Sequence, residues 1–327
     1  MTQSTPKESV LESRVPQLAA GKTLLDYLAL RFRYQTRAGW EERIASGAVT
    51  VNGARARPGR ALSQGDRVSY SVVLKEPPVD ADIKIVHAEP AFAVAIKPGQ
   101  LPSHADGNFI KNTFIHLISG MLKTAVAGED IRLVHRLDRE TSGLMVVARN
   151  KMAHADLMRQ FAAGGVEKEY LAVAKGRIGR EKFKVEGLIG RDPASTVSVR
   201  HALVPAGTPR AKHSCTEFIR VRELTDATLV RCLPRTGRTN QIRVHLAHIG
   251  HPVVGDKLYG KTDEEFLAFV RHVRAGGDPG FPGRAETPRH LLHASRLAFD
   301  HPETGRRSIF EAPMPDDMRE YIERHAN

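Results

Sequence analysis

Cysteine is nearly absent from this chain: Cys215 and Cys232 are the only two among 327 residues. So few exclude a disulfide-stapled framework and any all-cysteine zinc site, and they point to a reduced compartment. Long apolar runs are also missing, and no stretch approaches the ~18 residues that a membrane-spanning helix requires. The first ten residues are polar and lack the apolar core of a secretory leader. A soluble cytoplasmic protein with no membrane partner is therefore expected. Acidic residues are in deficit, with 37 Asp and Glu against 49 Lys and Arg, for a formal charge of +12. That surplus suits a polyanion, and without membrane features the expected one is nucleic acid. No Gly-rich phosphate loop or dinucleotide fingerprint occurs, so nucleotide-driven chemistry and hydride transfer lack support. No metal is expected either. His245, His248 and His251 recur at intervals of three, but Gly250 ends the helix before the third, and no carboxylate or cysteine completes a set.

What is present reads as two domains, the usual expectation for this length. Hydrophobic residues make up 41% and charged residues 26%, ordinary globular values. The positive charge is concentrated at the start. Residues 1–76 hold twelve Lys and Arg against seven acids, and between 31 and 60 seven arginines face only Glu41 and Glu42. Leu24 and Leu28 begin the apolar stripe of one helix. Thr36 can cap a second, with Trp40 and Ile44 four apart and Gly47 as its stop. Val49 and Val51 then alternate with Thr50 ahead of Asn52-Gly53, a strong hairpin signal. Gly65-Asp66 turns the chain into the strand-like stretch at 67–70. Arg31, Arg33, Arg37, Arg43, Arg55 and Arg57 sit on and between these elements; by composition alone they form either a solvated face or an RNA-binding one. Pro77-Pro78 marks a linker.

From Ile83 onward, runs at 92–96, 144–148, 170–174 and 228–233 have strand length and β-rich composition. Three helices are expected: 151–161, stopped by Gly164-Gly165; 240–249, stopped by Gly250; and one opened by the Thr262 and Glu265 capping box. The glycine-rich stretch at 276–280 reads as an exposed loop. Strands outnumber helices without alternating with them, which predicts an α+β fold with a largely antiparallel sheet.

The densest polar cluster is His135-Arg136-Leu137-Asp138-Arg139-Glu140-Thr141-Ser142-Gly143, just before a strand. Flanking arginines favour an ionised Asp138, which could serve as a nucleophile or general base. Spacing alone favours the alternative, a loop aspartate in a salt-bridge network. A second basic cluster, from Arg235 to His245, leads into a helix start, where a phosphate or an ordinary cap would fit equally. Tyr170 opens a strand and suits either core packing or stacking on a nucleobase. Lys97-Pro98-Gly99 reads as a turn. His135 and His245 could also suggest a metal-independent ribonuclease.

Two resemblances reduce these alternatives. Leu24-Leu25-Asp26-Tyr27-Leu28, the run from Ile44 to Gly53 that includes Val49-Thr50-Val51-Asn52-Gly53, and Gly65-Asp66 resemble the small RNA-binding domain named after ribosomal protein S-four, over roughly residues 20–70. Ile96-Lys97-Pro98, the 135–144 stretch, Lys168-Glu169-Tyr170, Gly237-Arg238-Thr239-Asn240-Gln241-Ile242-Arg243, Gly255-Asp256 and His293-Ala294-Ser295-Arg296-Leu297 resemble, in order, the RluA family of RNA pseudouridine synthases. Asn240 where the family usually has His, Lys97-Pro98-Gly99-Gln100 for the commoner K-P-A-G, and His87 where Tyr is frequent depart from its pattern.

The resemblance implies a mixed, largely antiparallel α+β synthase domain over residues 83–322. Before it come a flexible tail (1–13), a small αα-hairpin RNA-binding domain (14–74) and a linker (75–82). It implies isomerisation of uridine to pseudouridine in structured RNA, with large-subunit ribosomal RNA or an assembling ribosomal particle as the expected partner, no cofactor and a monomeric enzyme. Asp138 would be the nucleophile, Arg243 its charge partner, Arg136 the residue that displaces the base, and Tyr170 the ring stacked beneath it. A catalytically silent RNA-binding or assembly protein is the competing expectation.

Overall fold

A computed structural model describes residues 8–32, 35–73, 76–106, 109–122, 130–274 and 287–326. The chain divides into two units, one of Met1–Pro77 with Asp106–Ile110 and one of Pro78–Ala105 with Lys111–Asn327.

In the first unit the flexible tail expected over 1–13 gives way to a strand, β1 (Glu8–Arg14). Residues 1–7 lie outside the described residues. Of the apolar residues in β1 only Leu11 packs against the core while Val10 is exposed, too little alternation to betray a strand. Thr23 starts α1 (Leu24–Arg31) and Thr36 starts α2 (Arg37–Ala45), each hydroxyl accepting a backbone N–H three residues on at 3.1 Å. Leu24, Leu28, Trp40 and Ile44 are buried, as the stripes require. β2 (Val49–Val51) and β3 (Ala54–Arg55) join through Asn52 and Gly53, whose φ values of 54° and 80° are those of a tight hairpin turn. With β4 (Arg67–Val73) the strand order is β1-β4-β2-β3. The unit therefore holds two α-helices and a four-stranded antiparallel sheet; to the expected helix pair, hairpin and strand-like stretch at 67–70 it adds β1.

The second unit contains, in order, β5 (Lys84–Ala88), β6 (Phe92–Lys97), α3 (Phe114–Leu122), β7 (Arg132–Leu133), β8 (Ser142–Ala148), α4 (Lys151–Ala163), β9 (Glu167–Lys175), β10 (Lys182–Arg191), β11 (His201–Val204), β12 (Lys212–Glu223), β13 (Ala227–Pro234), α5 (Gln241–His248), α6 (Asp263–Arg274), β14 (Leu292–Asp300), β15 (Arg307–Glu311) and α7 (Asp316–Arg324). The sheet runs β11-β10-β12-β13-β9-β14-β8-β6-β5, with β15 beside β14 and β7 beside β8. It is mixed and mostly antiparallel. Among the described residues the parallel contact is β14 with β8, through His293–Ser142 and Ala294–Gly143. From Arg296 onward β14 pairs with β15 instead. Asn150 caps α4 through a 2.8 Å bond from the Ala153 N–H, and Gly164 ends it in the left-handed region. Thr262 and Glu265 exchange the two bonds of a capping box at the start of α6. The fold continues past the expected end at 322, since α7 reaches Arg324 and Ala326 bridges Leu224. The loop expected at 276–280 lies outside the described residues. No helix among the described residues is long and apolar enough to cross a membrane.

Gly143, near the start of β8, sits between Lys97 of β6 and Ala294 of β14, the last residue in the parallel pairing of β14 with β8. Its φ is 117°, and a Cβ there would overlap the backbone of Ala294. Gly164 is also left-handed, at φ 76°, but has open space around it. Gly164→Ala should therefore cost only the conformational penalty, about 1–2 kcal/mol. Gly143→Ala should cost more than about 3 kcal/mol, because overpacking adds to strain. Thermal melts of the two variants check the ranking.

Candidate active site

The loop that carries Asp138 is held from several remote segments. On one side of Asp138, Ser103 Oγ donates to the Leu137 carbonyl at 2.6 Å and accepts the Leu137 N–H at 3.1 Å. On the other, Lys97 Nζ donates to the carbonyls of Arg139 (3.1 Å), Leu101 (2.8 Å) and Pro98 (2.8 Å). Lys97 is fully buried at the end of β6, and that burial, aided by Arg289, holds its ammonium well below the ordinary lysine range. The sequence read this lysine as part of a turn; its three-carbonyl cage depends on segments 42 residues apart. Glu140 accepts from Lys257 Nζ at 2.8 Å and from the His290 N–H at 3.0 Å. Arg289 donates to the Glu140 carbonyl at 3.1 Å and grips Asp317 of α7 through Nε and Nη2 at 2.6 and 2.9 Å. The sequence does not single out Ser103, Arg289 or His290, because no local spacing connects them to Asp138; Glu140 stands in the quoted 135–143 cluster, but its partners Lys257 and His290 are remote.

Arg243 on α5 reaches Asp138 across 105 residues of sequence. Its Nη1 donates to Asp138 Oδ2 at 2.8 Å and to Asn240 Oδ1 at 3.1 Å. Nε and Nη2 donate to the two oxygens of Asp256 at 2.6 and 2.9 Å. Asp256 Oδ1 also accepts the N–H groups of Leu258 (2.8 Å) and Tyr259 (2.9 Å), and the Tyr259 ring lies 5.1 Å from the guanidinium. Burial alone would depress the Arg243 pKa; Asp256 first, then Asp138, outweigh it and hold the guanidinium firmly charged. The Asp256 side chain is wholly enclosed, whereas Asp138 keeps 29% exposure, enough to meet a ligand. Asn240, the departure noted in the sequence, is the left-handed residue before α5 (φ 56°), and its Nδ2 donates to the Tyr259 hydroxyl at 3.2 Å. The amide thus ties the helix start to both Arg243 and Tyr259.

Tyr170 lies on β9, opposite Cys232 of β13 and Ala294 of β14. Its half-buried ring joins two apolar clusters, one containing Leu137 and Met145, the other Ile242 and Leu246. Burial, and next the Asp138 charge, raise its phenol pKa, so the hydroxyl stays protonated. Arg136 is exposed and makes no hydrogen bond or ion pair among the described residues. Arg238 uses Nε to donate to the His213 carbonyl at 2.7 Å. Asp138, Arg243 and Tyr170 are thus brought into one place, with Arg136 two residues from the carboxylate.

The histidines do other work. His135 accepts the Val146 N–H at 3.0 Å and stacks on Phe161 at 4.8 Å, and burial lowers its pKa to about 3. His245 bonds Ser214 and Thr216 through its two ring nitrogens, and burial lowers its pKa to about 4. Both are neutral and committed to packing, which removes the support for a ribonuclease pair. Among the described residues no group of three His, Cys, Asp or Glu could hold a metal ion.

In the first unit, Arg31, Arg55 and Arg57 are exposed. Arg37 pairs with Asp26 at 2.7 Å, and Arg43 turns its guanidinium onto the Ser71 carbonyl. Arg33 lies outside the described residues.

Residues 91–248, which hold Asp138, Tyr170 and Arg243, match the family described as RNA pseudouridylate synthase. The chain is 34% identical over 299 residues to an uncharacterized RNA pseudouridine synthase, YlyB, of Bacillus subtilis, covering 86% of each. It is 32% identical over 326 residues to the ribosomal large subunit pseudouridine synthase D of Nitrosomonas europaea, covering 96% of this chain and 88% of that one. The structure of human RNA pseudouridylate synthase domain containing 1 aligns with a TM-score of 0.55 at 27% identity, over 73% of this chain and 86% of the human one. Motif order, sheet topology and these likenesses agree: the chain belongs to the RluA-type family of RNA pseudouridine synthases.

Proposed function

We propose that this protein isomerises uridines to pseudouridine in large-subunit ribosomal RNA, acting as a cytoplasmic monomer with Asp138 as its nucleophile. The observation that carries the reading is an accessible carboxylate tethered to a buried, firmly charged guanidinium. A catalytically silent assembly protein has no use for that arrangement. The RNA is inferred from relatives named as synthases of the ribosomal large subunit.

The reaction breaks the N1–C1′ bond, turns the uracil and joins C5 to C1′, leaving the mass unchanged. Asp138 supplies an anion to carbon, and Arg243 orients it. The target base must leave its stack to reach Asp138; Arg136, exposed and without a hydrogen bond or ion pair among the described residues, fills the gap it leaves, and the Tyr170 ring supports the extruded base. Because the Tyr170 phenol is held protonated, it serves by stacking and as a hydrogen-bond donor rather than as a ready base.

We further propose that residues 14–74 form an S-four-type RNA-docking domain joined by a linker at 75–82. Of the arginines named from the sequence, we assign phosphate contacts to the exposed Arg31, Arg55 and Arg57, since Arg37 and Arg43 have partners within the unit.

Asp138→Asn keeps the side-chain shape but loses the anion. Pseudouridine formation, read as tritium release from RNA labelled at uridine C5, should fall at least a thousandfold, about 4 kcal/mol of lost barrier lowering. RNA affinity by filter binding should stay within about threefold. Turnover within tenfold of the parent would dismiss the assignment, and joint loss of binding and turnover would mark a structural aspartate.

Arg243→Lys keeps a charge but cannot fork onto Asp256 while also reaching Asp138. It should lose about a hundredfold or more in kcat, whereas Arg238→Lys, outside this cluster, should lose less than tenfold. Steady-state kinetics on folded variants check the contrast. Replacing Arg31, Arg55 and Arg57 together by Ala should reduce the slope of log affinity against log salt by about 2, with the rate on bound RNA little changed. An unchanged slope would remove the docking role.

A further inference from the structure

β9 opens with Glu167-Lys168-Glu169-Tyr170, and the pleat of the strand sorts these side chains onto two faces. Glu167 and Glu169 share one face. There Glu167 pairs with Arg296 (3.2 Å) and Arg307 (2.7 Å), and Glu169 with Arg296 (3.5 Å) and Arg231 (3.8 Å). Lys168 lies on the other face, with Tyr170. Two glutamates adjoin it in sequence, yet it makes no hydrogen bond or ion pair among the described residues.

The Lys168 ammonium lies against the turn before α5: a Cβ on Gly237 would stand 4.0 Å from its Nζ. Its charge also acts on His135, the neighbour of Arg136 in the loop that carries Asp138. The turn is braced. Thr236 Oγ1 and the Arg238 N–H both donate to Gln241 Oε1, at 2.7 and 3.0 Å, and Gln241 Nε2 donates to the Cys215 carbonyl (3.0 Å) and to Thr216 Oγ1 (2.9 Å). The Arg238 guanidinium is pinned through Nε on the His213 carbonyl, and its two terminal nitrogens have no partner among the described residues. Burial first, then the charge of Arg238, lower the Lys168 pKa. Two neighbouring cations, one of them largely desolvated, are thus held with no carboxylate bonded to either. An anion placed between them relieves both.

We propose that Lys168 and the terminal nitrogens of Arg238 form a phosphodiester subsite that grips the RNA strand beside the extruded uridine. The subsite rests on the proposed function and adds to it the part of the substrate that this rim holds. Tyr170, one same-face step along β9, supports the base, and the sugar–phosphate joined to that base runs along the Lys168 side. The non-bridging oxygens of one phosphodiester accept from an ammonium and a guanidinium together. Such a contact carries no sequence information, but it fixes the register of the strand, so that one uridine and not its neighbour meets Asp138.

The full-length protein and transcripts of large-subunit ribosomal RNA test it. Lys168→Met keeps an unbranched apolar stem and removes the charge. It should melt at or above the parent temperature, because the fold loses an unpaired cation; a lysine with a structural role would melt lower. The slope of log affinity against log salt should fall by about 0.7–0.9, with Kd at fixed salt raised about tenfold. In turnover, KM should rise about tenfold while kcat moves less than about threefold. Arg238→Gln should repeat these binding losses, and the double variant should add little to either, because both cations serve one phosphate. Transcripts ethylated at random phosphates locate the contact: the parent should reject molecules ethylated at a phosphate flanking the uridine it converts, and Lys168→Met should accept them. A lower melt for Lys168→Met, an unchanged salt slope, additive losses in the double variant, or equal rejection of every ethylated phosphate by parent and variant would overturn the subsite alone. A parent protein that forms no pseudouridine in these transcripts would overturn the substrate reading and the subsite with it.

Discussion

One guanidinium shared between two carboxylates organises this protein. Arg243 links α5, the loop before β8 and the turn after Gly255, three segments brought together only by the sheet. A buried charge of this kind is tolerable only when fully paired, and every nitrogen of Arg243 has a partner. The backbone has been shaped to allow this. Gly255, at φ 77°, has no room for a side chain against Thr287 and the Arg289 carbonyl, so the Asp256 turn can close tightly.

The rest of the neighbourhood fixes the loop in place. Ser103 and Lys97 hold the backbone on either side of Asp138, and Glu140 and Arg289 continue the grip to α7. Buried donors and acceptors with specific partners admit few alternative arrangements, so a loop, usually the mobile part of a fold, here behaves as part of the scaffold. Asp138 itself is left with a single bond to Arg243 and partial exposure. Under the proposed function, rigidity around a lightly held carboxylate is what an attack on carbon requires.

Burial also determines which groups change charge. His135 and His245 are kept neutral and Tyr170 protonated by desolvation, each inside apolar packing or a hydroxyl cage. Several residues that look reactive in a list are thereby removed from proton chemistry.

The sequence by itself determined much of the local structure and chemistry. Thr23, Thr36, Asn150 and the Thr262–Glu265 pair start helices through bonds spanning three residues, and Asn52-Gly53 turns a hairpin, because such signals involve only neighbouring atoms. The ordered motifs around Asp138, Tyr170 and Arg243 were likewise sufficient to name the family. Tertiary structure alone decided the strand at Glu8–Arg14, whose pattern is too polar to announce itself, and the parting of β14 from β8 at Gly143. It alone decided that Lys97 is a buried clamp rather than a turn residue, that the histidines are inert, and that Asp256 stands behind Arg243. Those facts depend on contacts between residues tens to hundreds of positions apart and on burial, and neither quantity is written in any short stretch of sequence.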